Sequence, residues 1–519
     1  MKMTTEFPLR SQRRKVSEGL ATVLIVALLV CTSMALMLCA APPELGWDEA
    51  HYALSLRTPW RAMWSGVDYV RHNHGPMMLY LTKLGEGILP GPISLEARLR
   101  LPLAFVGSLA IALTYLGVRF AFAGSRTAGL VASALLMLSV IRLEETNVLG
   151  PHAPLLLCVL SVFIVGYSWR NTVTPGRALG LGLILGLTAL VTPFALPIGI
   201  YWSVATIASR GAWIRYDRQR VKFSWLFFGV IGTSVVVLLL LWPPAVFNQS
   251  LLWDFKYLWH WGKLGDPTLV GEQFFEQTPR TASLYWLAHL DLPLLVVGLL
   301  TVLGAVVLLS QKRLPSAQAL YFAVFLGFLF AGTVTVSVAG ARYLGQFIGI
   351  LCLAVGVVFD RLIPARAGIR PLAAGAIIVF SIGNLVAHWS DSSRVPVLAY
   401  DGYRAFVRDN KTRLAERVTA LADGPPQVEF YTSMAGAPMG WRVLQSPWTT
   451  REDASISPEA KYALISEISY RYFPVIQRMI NNNWKVVWSY KTSRSWGLRL
   501  YERSAPTSIL ETADATDTD

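Results

Sequence analysis

Two adjacent carboxylates, Asp48 and Glu49, stand only a few positions beyond the first long apolar run of this 519-residue chain. Charge is scarce here, since Asp, Glu, Lys and Arg together make up 15% of the residues. An ionisable group held against a membrane is costly, so it is a functional candidate by default. A carboxylate in such a place can accept a proton from a hydroxyl group or bind a divalent cation. The pair is therefore the first candidate for a functional site.

Membrane helices must position this pair, because 54% of the residues are hydrophobic and ordinary soluble domains carry nearly twice the share of charged residues. The formal net charge of +14 does not indicate nucleic-acid binding, because basic residues of membrane proteins concentrate on cytoplasmic loops. The four cysteines lie inside apolar runs and form no disulfide or metal-thiolate pattern. The composition predicts a polytopic membrane protein that binds no nucleic acid.

The hydropathy pattern predicts about eleven membrane-spanning helices, and the first apolar run is long enough to cross roughly 30 Å of hydrocarbon. They are 20–41, 101–123, 127–141, 153–169, two short helices within 178–208, 223–241, 292–309, 319–338, 343–359 and 371–387. The loops rich in Lys and Arg all fall on one side of this arrangement. The positive-inside rule then predicts a multi-pass protein of the plasma or inner membrane, with a cytoplasmic N-terminus and an extracytoplasmic C-terminal domain.

The same pattern divides the chain into a cytoplasmic N-terminal segment, 1–19, a transmembrane domain, 20–388, an extracytoplasmic α/β domain, 389–503, and a disordered tail, 504–519. Two long outer loops, 42–100 and 242–291, belong to the transmembrane domain. The second is rich in aromatic residues, which suits an interfacial anchor as well as a lid over a lipid-bearing substrate. In the α/β domain the pattern predicts a helix at 470–482 and strands at 428–431, 462–465, 485–488 and 498–501.

No Walker loop or dinucleotide fingerprint occurs in the sequence. An enzyme that works on the outer face has no ATP or nucleotide sugar at hand, so we expect an activated group to arrive on a lipid carrier. Three motifs agree with this expectation: WDEAHY at 47–52, HNHGPMMLY at 72–80 and EARLRLP at 96–102. In these motifs and their order, the chain resembles the GT-C membrane glycosyltransferases as far as about residue 370. It is most similar to the branch that holds the protein O-mannosyltransferases and the lipid A aminoarabinose transferases.

The resemblance implies roles for several residues. The acidic pair after the first span carries the catalytic acid or base, or a metal ligand, in that family, and it matches Asp48 and Glu49. The element that contacts the donor phosphate matches residues 74–76, where a glycine replaces the first proline. The position that precedes Ala-Pro-Leu is often an aspartate in the family but is His152 here, while Glu144 and Glu145 are alternatives for the second acidic site.

The implied reaction is inverting transfer of a sugar from a polyprenyl-phosphate donor to a lipid, glycan or protein acceptor. It needs a base for the acceptor's proton and cations for the departing phosphate. We predict that Asp48 is the base and that Glu49 assists it. The predicted donor-binding residues are Arg71, His72, His74, Arg342 and Tyr343.

A divalent metal ion is a further expectation. An ion that bridges Asp48 to Glu144, Glu145 or His152 would have mainly oxygen ligands, as Mg²⁺ and Mn²⁺ prefer, while a histidine ligand would also admit Zn²⁺. Each of these residues also has a structural alternative, such as a helix cap or an ion pair with Arg142. Two other functions fit the same spans: a transporter or flippase of lipid-linked glycans, and a non-catalytic membrane scaffold.

Overall fold

Helices dominate the fold. The computed structural model describes residues 7–41, 44–56, 76–88, 93–146, 149–168, 174–192, 195–208, 223–244, 268–270, 273–275, 282–335, 344–364, 368–390, 402–446, 459–472, 474–481, 484–492 and 495–504. The helices up to residue 390 are α1 Phe7–Ala40, α2 Trp47–Ser55, α3 Met77–Glu86, α4 Leu95–Leu116, α5 Arg126–Leu138, α6 Val140–Thr146, α7 His152–Ser168, α8 Pro175–Val191, α9 Ala195–Ala208, α10 Phe223–Leu241, α11 Ala282–Leu290, α12 Leu292–Ser310, α13 Ser316–Thr335, α14 Gly345–Leu362 and α15 Ile369–Ser390. A short antiparallel hairpin, β1 Thr268–Val270 and β2 Gln273–Phe275, lies between α10 and α11.

Five helices in the described ranges are long and apolar enough to span a membrane, which agrees with the predicted membrane protein. They contain the segments Ser17–Ala40, Leu95–Ala121, Leu292–Ser310, Gly345–Leu362 and Ile369–Trp389. Six shorter apolar helices lie at the other predicted runs, and the helix breaks after Val191 as the prolines predicted. The exact number of spans and their sidedness remain predictions.

Local capping signals set several helix starts. Ser94 and Ser125 each accept a hydrogen bond from the backbone three residues further on, at the starts of α4 and α5. Thr174 does the same for α8, whose first residue is Pro175. Side-chain oxygens at the N-cap satisfy amide groups that have no partner within the helix. These caps fix where the apolar helices begin.

Small residues let the central helices α4, α5, α7 and α14 pack closely, as is usual in membrane bundles. A Cβ atom at Gly349 of α14 would lie only 2.6 Å from a Leu156 methyl group of α7. At Gly356 it would lie 2.8 Å from Val118, in the π-helical turn that follows α4. The helices around this centre expose leucine and valine side chains, a surface suited to lipid.

The C-terminal elements form a five-stranded sheet with helices. They are α16 Tyr403–Asp409, α17 Lys411–Leu414, β3 Thr419–Ala422, α18 Pro425–Met434, β4 Arg442–Gln445, β5 Ala460–Ser466, α19 Glu467–Tyr472, α20 Pro474–Asn481, β6 Trp484–Thr492 and β7 Ser495–Arg503. The strand order is β4-β3-β5-β7-β6. Strand β3 is parallel to β4 and β5, whereas β7 is antiparallel to β5 and β6.

The structure confirms three of the four predicted strands and corrects the fourth. Residues 428–431 lie in helix α18 and not in a strand. Two prolines, Pro425 and Pro426, occupy the first turn of this helix, where proline is favoured, and these start signals outweigh the β-propensity of the following residues. The helix predicted at 470–482 corresponds to α19 and α20.

The chain forms two compact units. The helical unit contains Met1–Pro42 and Tyr52–Pro396, and the α/β unit contains Pro43–His51 and Val397–Asp519. We call Pro43–His51 the acidic segment because it contains Asp48 and Glu49. The segment therefore belongs to the same unit as the C-terminal sheet.

Candidate functional site

The first turn of α2 carries both adjacent acids, and Glu49 makes a hydrogen bond that stabilises this turn. The backbone carbonyl of Gly46 accepts a hydrogen bond from Ala50, and the Gly46 amide donates to Glu49 Oε2 at 2.7 Å. This is the helix-to-cap half of a capping box, in which a glutamate reaches back to the N-cap amide. Glu49 is completely buried. Its carboxylate thus has a structural task at the start of α2, in the turn that also carries Asp48.

The acidic segment is hydrogen-bonded to the C-terminal part of the α/β unit. The carboxylate of Glu44 accepts hydrogen bonds from three successive backbone amides, those of Gly402, Tyr403 and Arg404. The next residue, Leu45, donates its amide hydrogen to Tyr431 Oη at 2.7 Å. Two neighbouring residues just ahead of Asp48 are therefore held by helices α16 and α18.

Helix α6 carries Glu144 and Glu145, and it lies among α1, α4, α5, α7, α11 and α14. Its Arg142 is completely buried. The Arg142 guanidinium donates from Nη2 to Ser33 Oγ at 2.6 Å and contacts Met37 Sδ at 3.0 Å. Its Nη1 donates to the carbonyl of Met137 at 3.3 Å. A buried cation thereby links α6 to α1 and α5.

Asp291, the residue before α12, supports α6 from another side. Its carboxylate accepts hydrogen bonds from Ser139 Oγ at 2.6 Å, from the Ile141 amide at 3.1 Å and from the Val140 amide at 3.2 Å. Burial raises the pKa of the Asp291 carboxyl to about 6, and the three hydrogen bonds oppose that rise. The position of α6 therefore depends on a buried acid as well as on a buried base.

The structure places the other predicted site residues as follows. His152 is the first residue of α7 and is buried. Asp48 lies in α2, and Glu144 and Glu145 lie in α6, but their side chains are outside the described part of the chain. The predicted donor-binding residues also lie outside it: Arg71, His72 and His74 fall in 57–75, and Arg342 and Tyr343 fall in 336–343. Their roles remain predictions.

The described residues contain no cluster of three His, Cys, Asp or Glu side chains that could hold a metal ion. The side chains of Asp48, Glu144 and Glu145 lie outside the described part of the chain. Most of the aromatic loop 242–291 also lies outside the described ranges. The metal ion and the choice between anchor and lid therefore stay predictions.

The site residues predicted from the sequence do not include Glu44, Arg142 or Asp291. All three are buried charged residues, and each lies within a few positions of an apolar run. The cost of holding a charge at such a place is the signal that could have found them. Their partners could not be found in this way, because Glu44 and Gly402 are 358 residues apart.

Comparisons with known proteins identify the fold. No family model matches the chain, and no curated protein matches it. Among solved structures, ArnT from Cupriavidus metallidurans bound to undecaprenyl phosphate aligns with a TM-score of 0.57 and 15% identity, over 94% of this chain and 99% of that chain. The apo state of the same protein aligns with a TM-score of 0.55, over 94% and 100%. The chain therefore has the fold of ArnT, which agrees with the predicted helical membrane fold with a small C-terminal α/β domain.

Proposed function

We propose that this protein is an integral-membrane glycosyltransferase that uses a polyprenyl-phosphate sugar as its donor. The observation that supports the proposal most is the fold shared with ArnT over nearly the full length of both chains. That ArnT structure contains undecaprenyl phosphate, a carrier of the proposed chemical class. The acceptor is a lipid, a glycan or a protein hydroxyl group on the extracytoplasmic face.

The proposed reaction is a single displacement at the anomeric carbon. The acceptor oxygen forms a bond to that carbon while the bond from the carbon to the donor phosphate oxygen breaks. Asp48 accepts the proton of the acceptor hydroxyl, and polyprenyl phosphate leaves with the electron pair. A positioned general base typically contributes 10²- to 10⁴-fold to such a step. The sugar is transferred with inversion.

The donor phosphate needs positive partners that remain in place as its charge grows. We assign Arg71, His72, His74 and Arg342 to this task, together with Tyr343, which follows Arg342 in the chain. Arginine binds phosphate through two parallel N–H groups, and charge-assisted hydrogen bonds are the stronger ones. These residues bind and orient the donor, whereas Asp48 acts on the acceptor.

A divalent ion is part of the proposal as a requirement to be tested. If the carboxylates of Asp48, Glu144 and Glu145 held such an ion, the donor set would be rich in oxygen and would suit Mg²⁺ or Mn²⁺, while a His152 ligand would also admit Zn²⁺. Such an ion would supply positive charge to the departing phosphate.

The test measures release of polyprenyl phosphate by the purified protein. Wild-type and Asp48→Asn proteins are incubated with a panel of undecaprenyl-phosphate sugars and candidate lipid, glycan and protein acceptors. We expect release with one donor and acceptor pair, and at least about a 100-fold lower rate in the variant. Equal release by both proteins would remove Asp48 from the mechanism. Movement of an intact donor across the bilayer, without transfer, would identify a flippase.

A further inference from the structure

We propose that Glu44 is a positioning residue of this enzyme, through which the α/β unit holds Asp48 in place for proton transfer. The inference rests on the proposed function, because it concerns the same base. It adds a role for the C-terminal domain, which otherwise has none in the reaction.

The Glu44 carboxylate occupies the N-terminus of α16. Its Oε2 accepts from the amides of Gly402 at 3.1 Å and Tyr403 at 2.9 Å, and its Oε1 accepts from Arg404 at 3.1 Å. The first amides of a helix lack partners within it, and the helix dipole favours an anion there. Glu44 is only 8% exposed, so water competes little for these bonds. The carboxylate thus satisfies three donors with one charged group.

Gly402 makes this arrangement possible. Its φ of 123° lies in a region that residues with a side chain rarely adopt, and it precedes the first residue of α16. A Cβ atom at this position would lie 2.6 Å from Tyr490 Cδ1 of β6. The amides that bind Glu44 are therefore fixed by packing against the sheet.

A second contact holds the acidic segment next to the hydrogen bonds of Glu44. Leu45 is 1% exposed, and its amide donates to the hydroxyl of Tyr431 in α18. The guanidinium carbon of Arg404 lies 5.6 Å from the centre of the Tyr431 ring, within the range of a cation–π contact. Helices α16 and α18 consequently hold two consecutive residues of the acidic segment.

Little freedom remains between this anchor and Asp48. The amide of Gly46 is bound by Glu49, and α2 begins at Trp47. Three residues therefore separate Glu44 from Asp48, and hydrogen bonds hold the backbone at both ends of this stretch. A misplacement of about 1 Å can slow an enzymatic step about 100-fold, so a loosened anchor is expected to act on the rate.

The experiment compares Glu44→Gln with Glu429→Gln in the full-length protein. Glu429 is exposed on α18, so its change removes the same charge from the same unit without touching the anchor. We expect Glu44→Gln to lower kcat about 10- to 100-fold, with the KM for the donor and the shape of the pH profile unchanged. Glu429→Gln should behave as wild type. A shifted pH profile in Glu44→Gln would instead make Glu44 a proton-transfer group and overturn the positioning role.

Hydrogen–deuterium exchange tests the anchor without reference to activity. In Glu44→Gln the peptides that cover 44–49 and 402–409 should exchange faster, while those that cover β5 and β7 should not change. Unchanged exchange at 402–409 overturns the inference even if the proposed reaction is confirmed. If no donor is consumed by the wild type, the proposed function fails, and exchange alone decides whether Glu44 is an anchor. Should Glu44→Gln fail to fold, Tyr431→Phe removes the hydroxyl group that binds the Leu45 amide and must give the same two effects.

Discussion

Arg142 donates a hydrogen bond of 2.6 Å to Ser33, and both side chains are completely buried. Ser33 belongs to α1 and Arg142 to α6, 109 residues later in the chain. Ser108 of α4 joins the pair through a hydrogen bond of 3.1 Å to Ser33. A buried guanidinium surrounded by such acceptors fixes the orientation of α6, which also carries Glu144 and Glu145.

Replacement of Arg142 by alanine is expected to destabilise the helical unit. It leaves a cavity and removes donors from Ser33 and from the Met137 carbonyl, for a loss of about 2 to 5 kcal/mol. Thermal unfolding in detergent measures the effect. Arg177→Ala is the matched control, because Arg177 is exposed on α8. Equal unfolding temperatures for the two variants would contradict the structural role of Arg142.

Asp291 predicts a pH dependence of stability. Its pKa is raised from 3.8 to about 6 in the folded protein, so the folded state holds a proton that the unfolded state has released between these values. The free energy of unfolding should therefore fall as the pH rises from about 4 to about 6, by about 3 kcal/mol in total. Asp291→Asn should lack this contribution. The measurement is the free energy of unfolding of the wild type and of Asp291→Asn from pH 4.5 to 7. A difference between the two proteins that does not change with pH would refute the prediction.

The two acids of α2 should respond differently to loss of charge. Asp48→Asn should lower kcat at least about 100-fold and leave stability nearly unchanged. Glu49→Gln weakens the bond to the Gly46 amide, so it should cost about 1 kcal/mol of stability and preserve the pH profile of the remaining activity. Kinetics and thermal unfolding of both variants test this. If the pH profile changed only in Glu49→Gln, Glu49 would be the base and Asp48 would have the structural role.

Two glycines with positive φ provide a matched pair in the α/β unit. Gly402→Ala should destabilise the unit by at least about 1 to 3 kcal/mol, because backbone strain adds to the collision with Tyr490. Gly436→Ala has the strain alone, since nothing lies within 4 Å of the added carbon. Unfolding of both variants measures the difference. If Gly402→Ala were no less stable than Gly436→Ala, the Tyr490 ring would be able to move away from the added Cβ atom with no loss of stability.

The metal requirement can be tested by chelation. We expect EDTA to lower the release of polyprenyl phosphate and added Mg²⁺ or Mn²⁺ to restore it, because a carboxylate donor set binds these ions. Restoration by Zn²⁺ alone would point to His152 as a ligand. Full activity in EDTA would leave charge stabilisation to the arginines and histidines.

The membrane helices could be predicted from the sequence because each apolar run carries its own signal. Proline positions even located the break between α8 and α9. In the α/β unit, strands β5, β6 and β7 were predicted from short apolar runs of strand length, but β3 and β4 were missed. Strand β3 has the sequence Thr-Ala-Leu-Ala, which has little β-propensity, and it is a strand because it lies between β4 and β5.

For the candidate site, the contacts of the charged residues could not be predicted from the sequence, for a different physical reason. Asp48 and Glu49 stood out by residue type and place, whereas the task of Glu49 depends on where the chain turns. The bonds of Glu44 and Arg142 join residues 358 and 109 positions apart. No local sequence pattern encodes such distant partners. The sequence therefore shows which residues are charged but not which residues they contact.

The α/β unit has a consequence for the timing of synthesis. Its first residues, Pro43–His51, emerge from the ribosome long before Val397–Asp519 exists. At 5 to 20 residues per second, Glu44 waits roughly 20 to 70 s for the amide of Gly402, 358 residues later. Throughout that interval the nascent chain carries Asp48 on an unanchored segment. Asp48, the proposed base, is therefore among the first residues made and among the last to be set in place.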